Sequence, residues 1–357
     1  MPRWKTLLAG ALWPLLALGQ EQVNTGFEVP LTISGGAFLT ERTHEQPREG
    51  SLLTGGARAV AYPTIRLNQH WFFSGAVQFH SRPYFFREFE TQGNGAEVDV
   101  LQAYAGYEQF WGRNYLSVRV GQLSSAFGSF LLRYDDAVNP LIDMPSSYGY
   151  YGVPITNLGL MGAQVDASIS RLDLRAQFTN SSPANRRSIF DSDQYGAWTG
   201  GIGYTIRQGF RVGASAHRGP YLNRGHRFYF PGELPPKDLP ASAVGAEVEF
   251  ARGHWNLYGE IHRAQNNYAI IPNFRQVVGY GEVKYALHPR WYVAGRINSA
   301  RSNARPAYDL YEFALGYRPN RRQLVKVGYQ FAHGHKQYGV FGIQLVTRLN
   351  PISAAWN

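Results

Sequence analysis

Few residues in this chain are of the types that perform chemistry. The sequence contains no cysteine, which excludes a disulfide scaffold, a thiolate zinc site, a cysteine nucleophile and an iron–sulfur centre. His333 and His335 are separated by one glycine and could bind a metal, but no carboxylate lies near them in the sequence. Because a zinc site needs three or four ligands, we interpret the pair as part of a solvated loop. The sequence therefore predicts no metal site.

No nucleophile–base pair can be named either. His254 and His262 are candidate bases, but no serine stands beside them at a spacing that would put it on the same outward face. The glycines at 200, 201 and 203 do not form a phosphate-binding loop, because a strand pattern continues through them and no helix N-terminus follows. We therefore expect a protein that is not an enzyme and has no cofactor.

The N-terminus has the pattern of an export signal. Residues 1–19 combine basic Arg3 and Lys5, an apolar run from Leu7 to Leu18, and small residues before the polar residues that follow Gly19. This is typical of a secretory signal peptide, since the apolar run is too short to span a bilayer core of ~30 Å comfortably as a helix. We predict cleavage near Gly19 and a mature chain of residues 20–357.

After the signal, the hydrophobic pattern has a period of two. In the segment 276–287, Val277, Gly279 and Val283 alternate with polar or charged residues, and a second alternating segment, 291–300, follows a three-residue turn. Two such runs indicate an antiparallel hairpin. Seven hairpins lie between a first and a last single strand, so the pattern predicts about sixteen strands. They are predicted over residues 27–39, 53–67, 71–81, 98–110, 115–122, 159–169, 172–180, 194–206, 210–217, 241–251, 255–265, 276–287, 291–300, 308–318, 323–333 and 338–349.

Tight turns and mostly longer connections alternate along these strands. That asymmetry is typical of a transmembrane antiparallel β-barrel with short periplasmic turns and long outer loops. A soluble sandwich also alternates in hydrophobicity, but it has no reason to keep this order of turns and loops along the whole chain. Only 17% of the residues are charged and 15% are aromatic, which fits a lipid-facing band. We predict an all-β fold in which residues 20–357 form a single outer-membrane barrel.

Four tryptophans lie beside the predicted tight turns. Trp71, Trp255 and Trp291 directly follow a turn, and Trp111 lies within another. Tryptophans at one height on several strands are expected of an interfacial girdle, where their amphipathic rings meet the lipid headgroups. The alternative is that they are four unrelated packing residues.

The polar faces of the predicted strands should line a water-filled lumen, because sixteen strands enclose more space than side chains fill. The basic wall candidates are Arg58, Arg66, Arg119, Arg175, Arg211, Lys284, Arg296, Arg318, Lys326 and Arg348. Acidic candidates are nearly as numerous, so we expect a wall of mixed sign rather than a strong anion filter. The acidic candidates are Glu108, Asp166, Asp173, Glu247, Glu249, Glu260, Glu282 and Glu312.

The longest connection, 123–158, is too apolar for a solvated loop and too long for an ordinary one. We expect it to fold inward as the third loop and to narrow the pore. Its charged residues, Arg133, Asp135, Asp136 and Asp143, are the candidate constriction. These residues and Asn139 are expected to face wall residues near mid-height, with Asp135 and Asp136 at the narrowest point. The alternative is that the aspartates only cap turns or a short helix. The wall partners expected are Arg119, Arg175 and Arg296.

A short motif lies where this loop begins. The run from Val118 to Leu123 (Val-Arg-Val-Gly-Gln-Leu), followed by Ala126-Phe127-Gly128, resembles a signature of the phosphate-selective porin O/P superfamily. The resemblance in topology extends over nearly the whole mature chain. It implies a sixteen-stranded outer-membrane channel with an inward third loop and assembly as a homotrimer. The acidic loop of this chain differs from the arginine- and lysine-bearing loop of phosphate-selective members.

The pattern as a whole favours a porin that lets small hydrophilic solutes or ions diffuse passively across the outer membrane of a Gram-negative bacterium. The expected partners are outer-membrane lipid and lipopolysaccharide, with small polar or anionic solutes passing through; the net charge of +10 does not indicate nucleic acid. The alternative is an adhesin-like barrel that binds a ligand or surface through its outer loops, such as the basic, aromatic loop 218–240.

The tail 351–357 either follows the last strand passively or supplies Trp356 as a terminal aromatic residue.

Overall fold

A computed structural model describes residues 25–41, 53–82, 95–148, 159–180, 196–220, 239–268, 271–334 and 338–355. The predicted signal peptide, His335, Trp356 and residues 221–238 of the basic outer loop lie outside the described residues. No helix among the described residues is long and apolar enough to cross a bilayer. Most of the described chain is strand.

The strands form one antiparallel sheet in which chain neighbours are also sheet neighbours. All sixteen predicted strands are confirmed, and seven pairs of them are joined by the predicted tight turns. The strands are β1 (Gly26–Glu41), β2 (Leu53–Ala61), β3 (Thr64–Arg66), β4 (Trp71–Arg82), β5 (Gly95–Trp111), β6 (Asn114–Leu123), β7 (Leu160–Ile169), β8 (Leu172–Thr179), β9 (Ala197–Arg207), β10 (Phe210–Pro220), β11 (Pro240–Arg252), β12 (Trp255–Asn266), β13 (Phe274–His288), β14 (Trp291–Ser302), β15 (Tyr308–Tyr317), β16 (Gln323–Gly334) and β17 (Tyr338–Ala355).

The second spanning strand is divided into β2 and β3 by a proline. Pro63 has no backbone N–H to donate, so the hydrogen-bonded ladder is interrupted there. Its neighbour Tyr62 donates its N–H to the Pro30 carbonyl at 2.8 Å, and Gly75 donates to the Pro63 carbonyl at 2.9 Å. Both halves pair with β1 and with β4, so the interruption leaves sixteen spanning strands.

The sheet closes because β1 pairs antiparallel with β17, from Gly26 opposite Ala355 to Glu41 opposite Gly339. The last strand was predicted to end at residue 349, and this boundary was wrong. A break in register between Val29 and Leu31 accommodates Pro30 on one strand and Pro351 on the other. Beyond this bulge the pairing resumes, so most of the predicted tail belongs to the barrel.

The outward face of the barrel is apolar and exposed. Large side chains such as Phe73, Val120, Trp198, Ile261 and Phe313 have about half or more of their surface accessible. Their chain neighbours point inward and are polar or tightly packed. Exposed apolar surface on this scale is far beyond that of a soluble monomer and is the lipid-facing band of a transmembrane barrel.

The four tryptophans expected in a girdle all lie at the turn end of the barrel, with 40–51% of their surface exposed. Trp111 is the last residue of β5 and not part of the turn itself. Each of the other three packs against a tyrosine on a neighbouring strand. The ring centres are 5.1 Å apart for Trp71 and Tyr107, 4.5 Å for Trp255 and Tyr285, and 4.3 Å for Trp291 and Tyr317. Their role as a membrane girdle stays a prediction.

One glycine on β6, just before the third loop, has a backbone conformation that other residues rarely adopt. Gly121 has φ +139°, and a Cβ atom there would lie 2.8 Å from the Tyr104 Cα. Gly121→Ala is expected to lower the free energy of unfolding by about 1–3 kcal/mol, because an alanine is strained at positive φ. The measurement is urea unfolding of the refolded barrel in lipid vesicles.

Gly281 on β13 supplies the matched control. A Cβ added at this glycine meets nothing within 4 Å, so Gly281→Ala should leave the unfolding midpoint nearly unchanged. Equal destabilisation by both substitutions would contradict the assignment of strain to Gly121.

Candidate functional site

The chain enters the barrel interior directly after β6. Residues 124–148 include a short 3-10 helix, Phe130–Arg133, and most of their side chains are buried. Phe127, Phe130 and Leu141 have at most 1% of their surface exposed. The prediction that the third loop folds inward is confirmed, and its apolar residues pack on small and apolar side chains of the wall, such as Ala243 and Ala264 around Phe127.

The first anchor of the loop is Glu260 on β12. Its carboxylate accepts hydrogen bonds from the Ser129 hydroxyl at 2.8 Å, the Tyr148 hydroxyl at 2.5 Å and the Tyr280 hydroxyl at 2.7 Å, and it lies 2.9 Å from His262 Nε2. Burial and the Glu260 charge raise the pKa of Tyr148 well above its usual value, so this loop hydroxyl stays protonated and donates. Both ends of the described loop segment are thereby tied to one wall residue.

The second anchor is a chain of alternating charges that joins the loop to three strands. Arg133 of the loop donates to Glu282 on β13 at 2.8 Å. Glu282 also accepts from Arg296 on β14 at 2.7 Å, and Arg296 reaches Glu312 on β15 at 2.9 Å. Arg296 donates further to the Asn139 side chain of the loop at 3.1 Å. All these charges are buried, so each compensates the desolvation of the next.

The third anchor holds the two aspartates that were expected at the constriction. Asp136 forms an ion pair of 3.0 Å with Arg58 on β2, and Asp135 accepts from the Tyr62 hydroxyl at 2.5 Å. Asp135 also accepts the backbone N–H of Ala137 at 2.8 Å, which is the capping role given as the alternative. Both aspartates have at most 4% of their surface exposed.

Asp135 and Asp136 do not contact the wall arginines that were expected near the loop. Arg119 lies 3.6 Å from Asp166, and Arg175 pairs with Glu247 at 3.5 Å while it donates to the Gly128 carbonyl of the loop at 3.1 Å. Arg296 does meet other polar residues of the loop, since it donates to the Asn139 side chain and to the Asp143 carbonyl at 3.0 Å.

The fourth anchor lies on β16 and β17. Lys326 donates to the Leu141 carbonyl at 2.9 Å, Ile142 packs between Phe38 and Val340, and Asp143 accepts from Gln330 at 3.4 Å. The loop thus passes β8, where Gln177 accepts from the Ala126 N–H at 3.1 Å, and Ala243 on β11, and then follows the wall from β12 through β17 to β2.

The wall from β6 to β11 keeps water-accessible charges beyond the first residues of the loop. Arg119, Arg211, Asp173 and Glu249 face inward with 18–35% of their side-chain surface exposed. Lys284 on β13 is partly exposed and its ammonium lies 4.7 Å from the Tyr292 ring centre. Among the described residues, no carboxylate lies within ion-pair distance of Lys284.

Tyrosines are the functional residues that the sequence pattern did not reveal. Tyr62, Tyr148 and Tyr280 bind the loop through their hydroxyl groups, but in an alternating sequence they are indistinguishable from packing or girdle aromatics. The only available signal is position, since Tyr280 falls on the polar face of its strand.

The charge chain can be tested by removing its central arginine. Arg296→Met leaves Glu282 and Glu312 buried without this partner, and breaking a buried pair costs about 3–5 kcal/mol. We expect a loss of that size in urea unfolding, together with faster proteolytic cleavage within residues 124–148. The control is Arg301→Met, because Arg301 is half exposed and pairs with Asp309 at 2.8 Å. An exposed pair is worth at most about 1 kcal/mol, so equal effects of the two variants would contradict the anchoring role.

Solved structures show the same fold. The trimer form of in-vitro folded OmpT, an outer membrane protein of Vibrio cholerae, is 11% identical, with 91% of this chain and 100% of that chain covered at a TM-score of 0.58. OmpF of Salmonella typhi in complex with daunomycin is 11% identical, with 91% and 98% covered at 0.62. An anion-selective porin from Comamonas acidovorans is 9% identical, with 92% and 100% covered at 0.62. No protein-family model and no curated protein sequence matches the chain. The chain is thus similar to outer-membrane porin barrels in fold, a closed antiparallel barrel of sixteen strands.

Proposed function

We propose that this protein is an outer-membrane porin through which small hydrophilic solutes and ions diffuse passively, and that it is not an enzyme. One observation carries the proposal: an inward loop is fixed to one side of a sixteen-stranded barrel, while charged side chains on the facing wall stay accessible to water. That arrangement narrows an aqueous lumen without requiring a moving part.

The four charged loop residues act in this proposal by holding the constriction in place. Arg133, Asp135, Asp136 and Asp143 are all at most 7% exposed, so they shape the passage rather than line it. Solutes instead meet the ion pairs of the facing wall. Because paired charges of both signs present dipoles instead of a net field, polar solutes are admitted without strong selection by charge.

A weak preference for anions is proposed from the turn end of the lumen. Lys284 and Arg318 are both partly exposed at this end, and among the described residues no carboxylate lies within ion-pair distance of Lys284. A unit charge about 7 Å from an ion in water is worth about 0.6 kcal/mol. Salt at about 0.1 M halves this energy, so attraction of the anion and repulsion of the cation together favour anions about two- to threefold. The resemblance to phosphate-selective porins makes phosphate the first anion to compare with chloride.

The proposed location is the outer membrane, reached through the signal peptide of residues 1–19. The exposed apolar band meets lipid, and outward basic side chains at the loop end, such as Arg263 on β12, meet anionic lipopolysaccharide. A homotrimer is proposed from the family resemblance and from the trimeric form of one structural neighbour.

Planar-bilayer recording tests the proposed channel and its proposed preference for anions together. Refolded mature protein is expected to give stepwise conductance and, in a potassium chloride gradient, a reversal potential on the anion side. Lys284→Gln should lower the anion-to-cation permeability ratio by about twofold. Arg263→Gln removes the same charge from the outward face and should leave the ratio unchanged. Absence of stepwise conductance from the folded barrel would refute the porin proposal.

The trimer has a separate test. Light scattering of the purified protein in detergent should give the mass of three mature chains, and unheated samples should migrate above heated ones on a denaturing gel. A monomeric mass in both mild detergent and extracted native membranes would contradict the trimer and leave the channel proposal standing.

A further inference from the structure

A cluster of potential metal ligands lies at the loop end of the barrel. His80 is near the end of β4, and Glu97 and Asp99 are near the start of β5. His80 is directly opposite Glu97 in the register, and Asp99 is opposite Gln78, two residues from His80 and on the same face. One ligand atom from each of the three side chains lies within 4.8 Å of the others.

The hydrogen bond of the histidine determines which ring nitrogen faces the carboxylates. His80 Nδ1 lies 3.2 Å from the Ser81 carbonyl oxygen. A carbonyl only accepts, so Nδ1 carries the proton. Nε2 then faces Asp99 Oδ2 at 3.4 Å and Glu97 Oε2 at 3.9 Å. His80 has only 8% of its surface exposed. Because Nδ1 is bound to the carbonyl, Nε2 is the ring atom that can ligate a metal, and it faces both carboxylates from a nearly buried position.

The distances between His80 Nε2 and the two carboxylate oxygens suit a small dication. Zn²⁺ holds nitrogen and oxygen ligands at about 2.0–2.2 Å, which places tetrahedral ligand atoms about 3.4 Å apart. The 3.4 Å between Nε2 and Oδ2 matches this spacing, and the 3.9 Å to Oε2 closes by rotation of a partly exposed glutamate. The bond from Nδ1 to a backbone carbonyl is the second-shell contact that orients metal-binding histidines.

We propose that His80, Glu97 and Asp99 bind a divalent transition-metal ion of the Zn²⁺ type at the outer mouth of the barrel. Two carboxylates and a neutral imidazole balance the charge of a dication, and water completes the coordination on the open side, where the carboxylate side chains are 21–36% exposed. The nitrogen ligand favours Zn²⁺ over the oxygen-seeking Ca²⁺ and Mg²⁺.

The neighbouring cation does not oppose this site. Arg58 on β2 is opposite His80 in the register, but its guanidinium donates to Gln78 at 2.7 Å and to Asp136 at 3.0 Å. Its charge is compensated by the loop aspartate. The sequence predicted no metal site because its ligands come from two strands and are separated by an outer loop, so no ligand spacing of a known metal motif appears.

Zinc titration of the refolded mature protein in detergent tests the proposal directly. Isothermal calorimetry should show one Zn²⁺ per chain, with at least tenfold weaker binding in His80→Ala and in Asp99→Asn. X-ray absorption at the zinc edge should show nitrogen and oxygen ligands only. A difference in migration between heated and unheated samples on a denaturing gel verifies that each variant is folded.

His333→Ala is the matched control, because His333 is also an outer-end histidine and belongs to the rival pair with His335. Its zinc affinity should equal that of the unmodified protein. Binding that is lost in His333→Ala and retained in His80→Ala would overturn the assignment. So would the absence of zinc binding by the folded protein, in which case the three side chains contact one another without a metal ion, at the 3.4 and 3.9 Å described. Neither readout depends on conductance, so the result is independent of the channel proposal.

Discussion

The seam between β1 and β17 is the constraint on which the rest of the structure depends. An unpaired backbone group in hydrocarbon costs several kcal/mol, so a spanning sheet must have no free edge. The register from Gly26 opposite Ala355 to Glu41 opposite Gly339 satisfies the two strands that would otherwise be edges. Closure then fixes which face of each strand meets lipid, and a shift of one residue would reverse every side chain. The bulge at Pro30 and Pro351 therefore preserves pairing where two prolines interrupt it.

Closure of sixteen strands also leaves a wide interior, into which the third loop folds. The interior is too wide for side chains to fill, and its wall must be polar if water enters. A loop that packs there has to satisfy buried charges as well as bury its own apolar residues. Glu260, Glu282 and Arg296 do this from the wall, through contacts with Ser129, Arg133 and Asn139 of the loop. These wall charges thereby fix the loop in one position.

Much of the fold was predictable because residues close together in the sequence determine it. Alternation with period two gave the strands, as in the segment 276–287, and the apolar residues of segment 123–158 indicated an inward loop. The pairing of charges was not predictable, because it joins distant residues: Arg58 and Asp136 are 78 apart in sequence, and Ser129 and Glu260 are 131 apart. Pairing depends on register and on the path of the loop. This is why the aspartates were assigned to Arg119, Arg175 and Arg296 and in fact bind Arg58 and Tyr62.

Pairing, rather than the number of charges, determines the field that a solute meets. Arg119 with Asp166, and Arg211 with Glu247, present dipoles whose fields fall off steeply with distance. The net charge of +10 therefore says little about the lumen, because most inward arginines are compensated. Lys284 departs from this local neutrality, because it is partly exposed at the turn end and no described carboxylate lies within ion-pair distance of it. The proposed dication would add positive charge at the loop end, so metal binding and the proposed anion preference would act in the same direction.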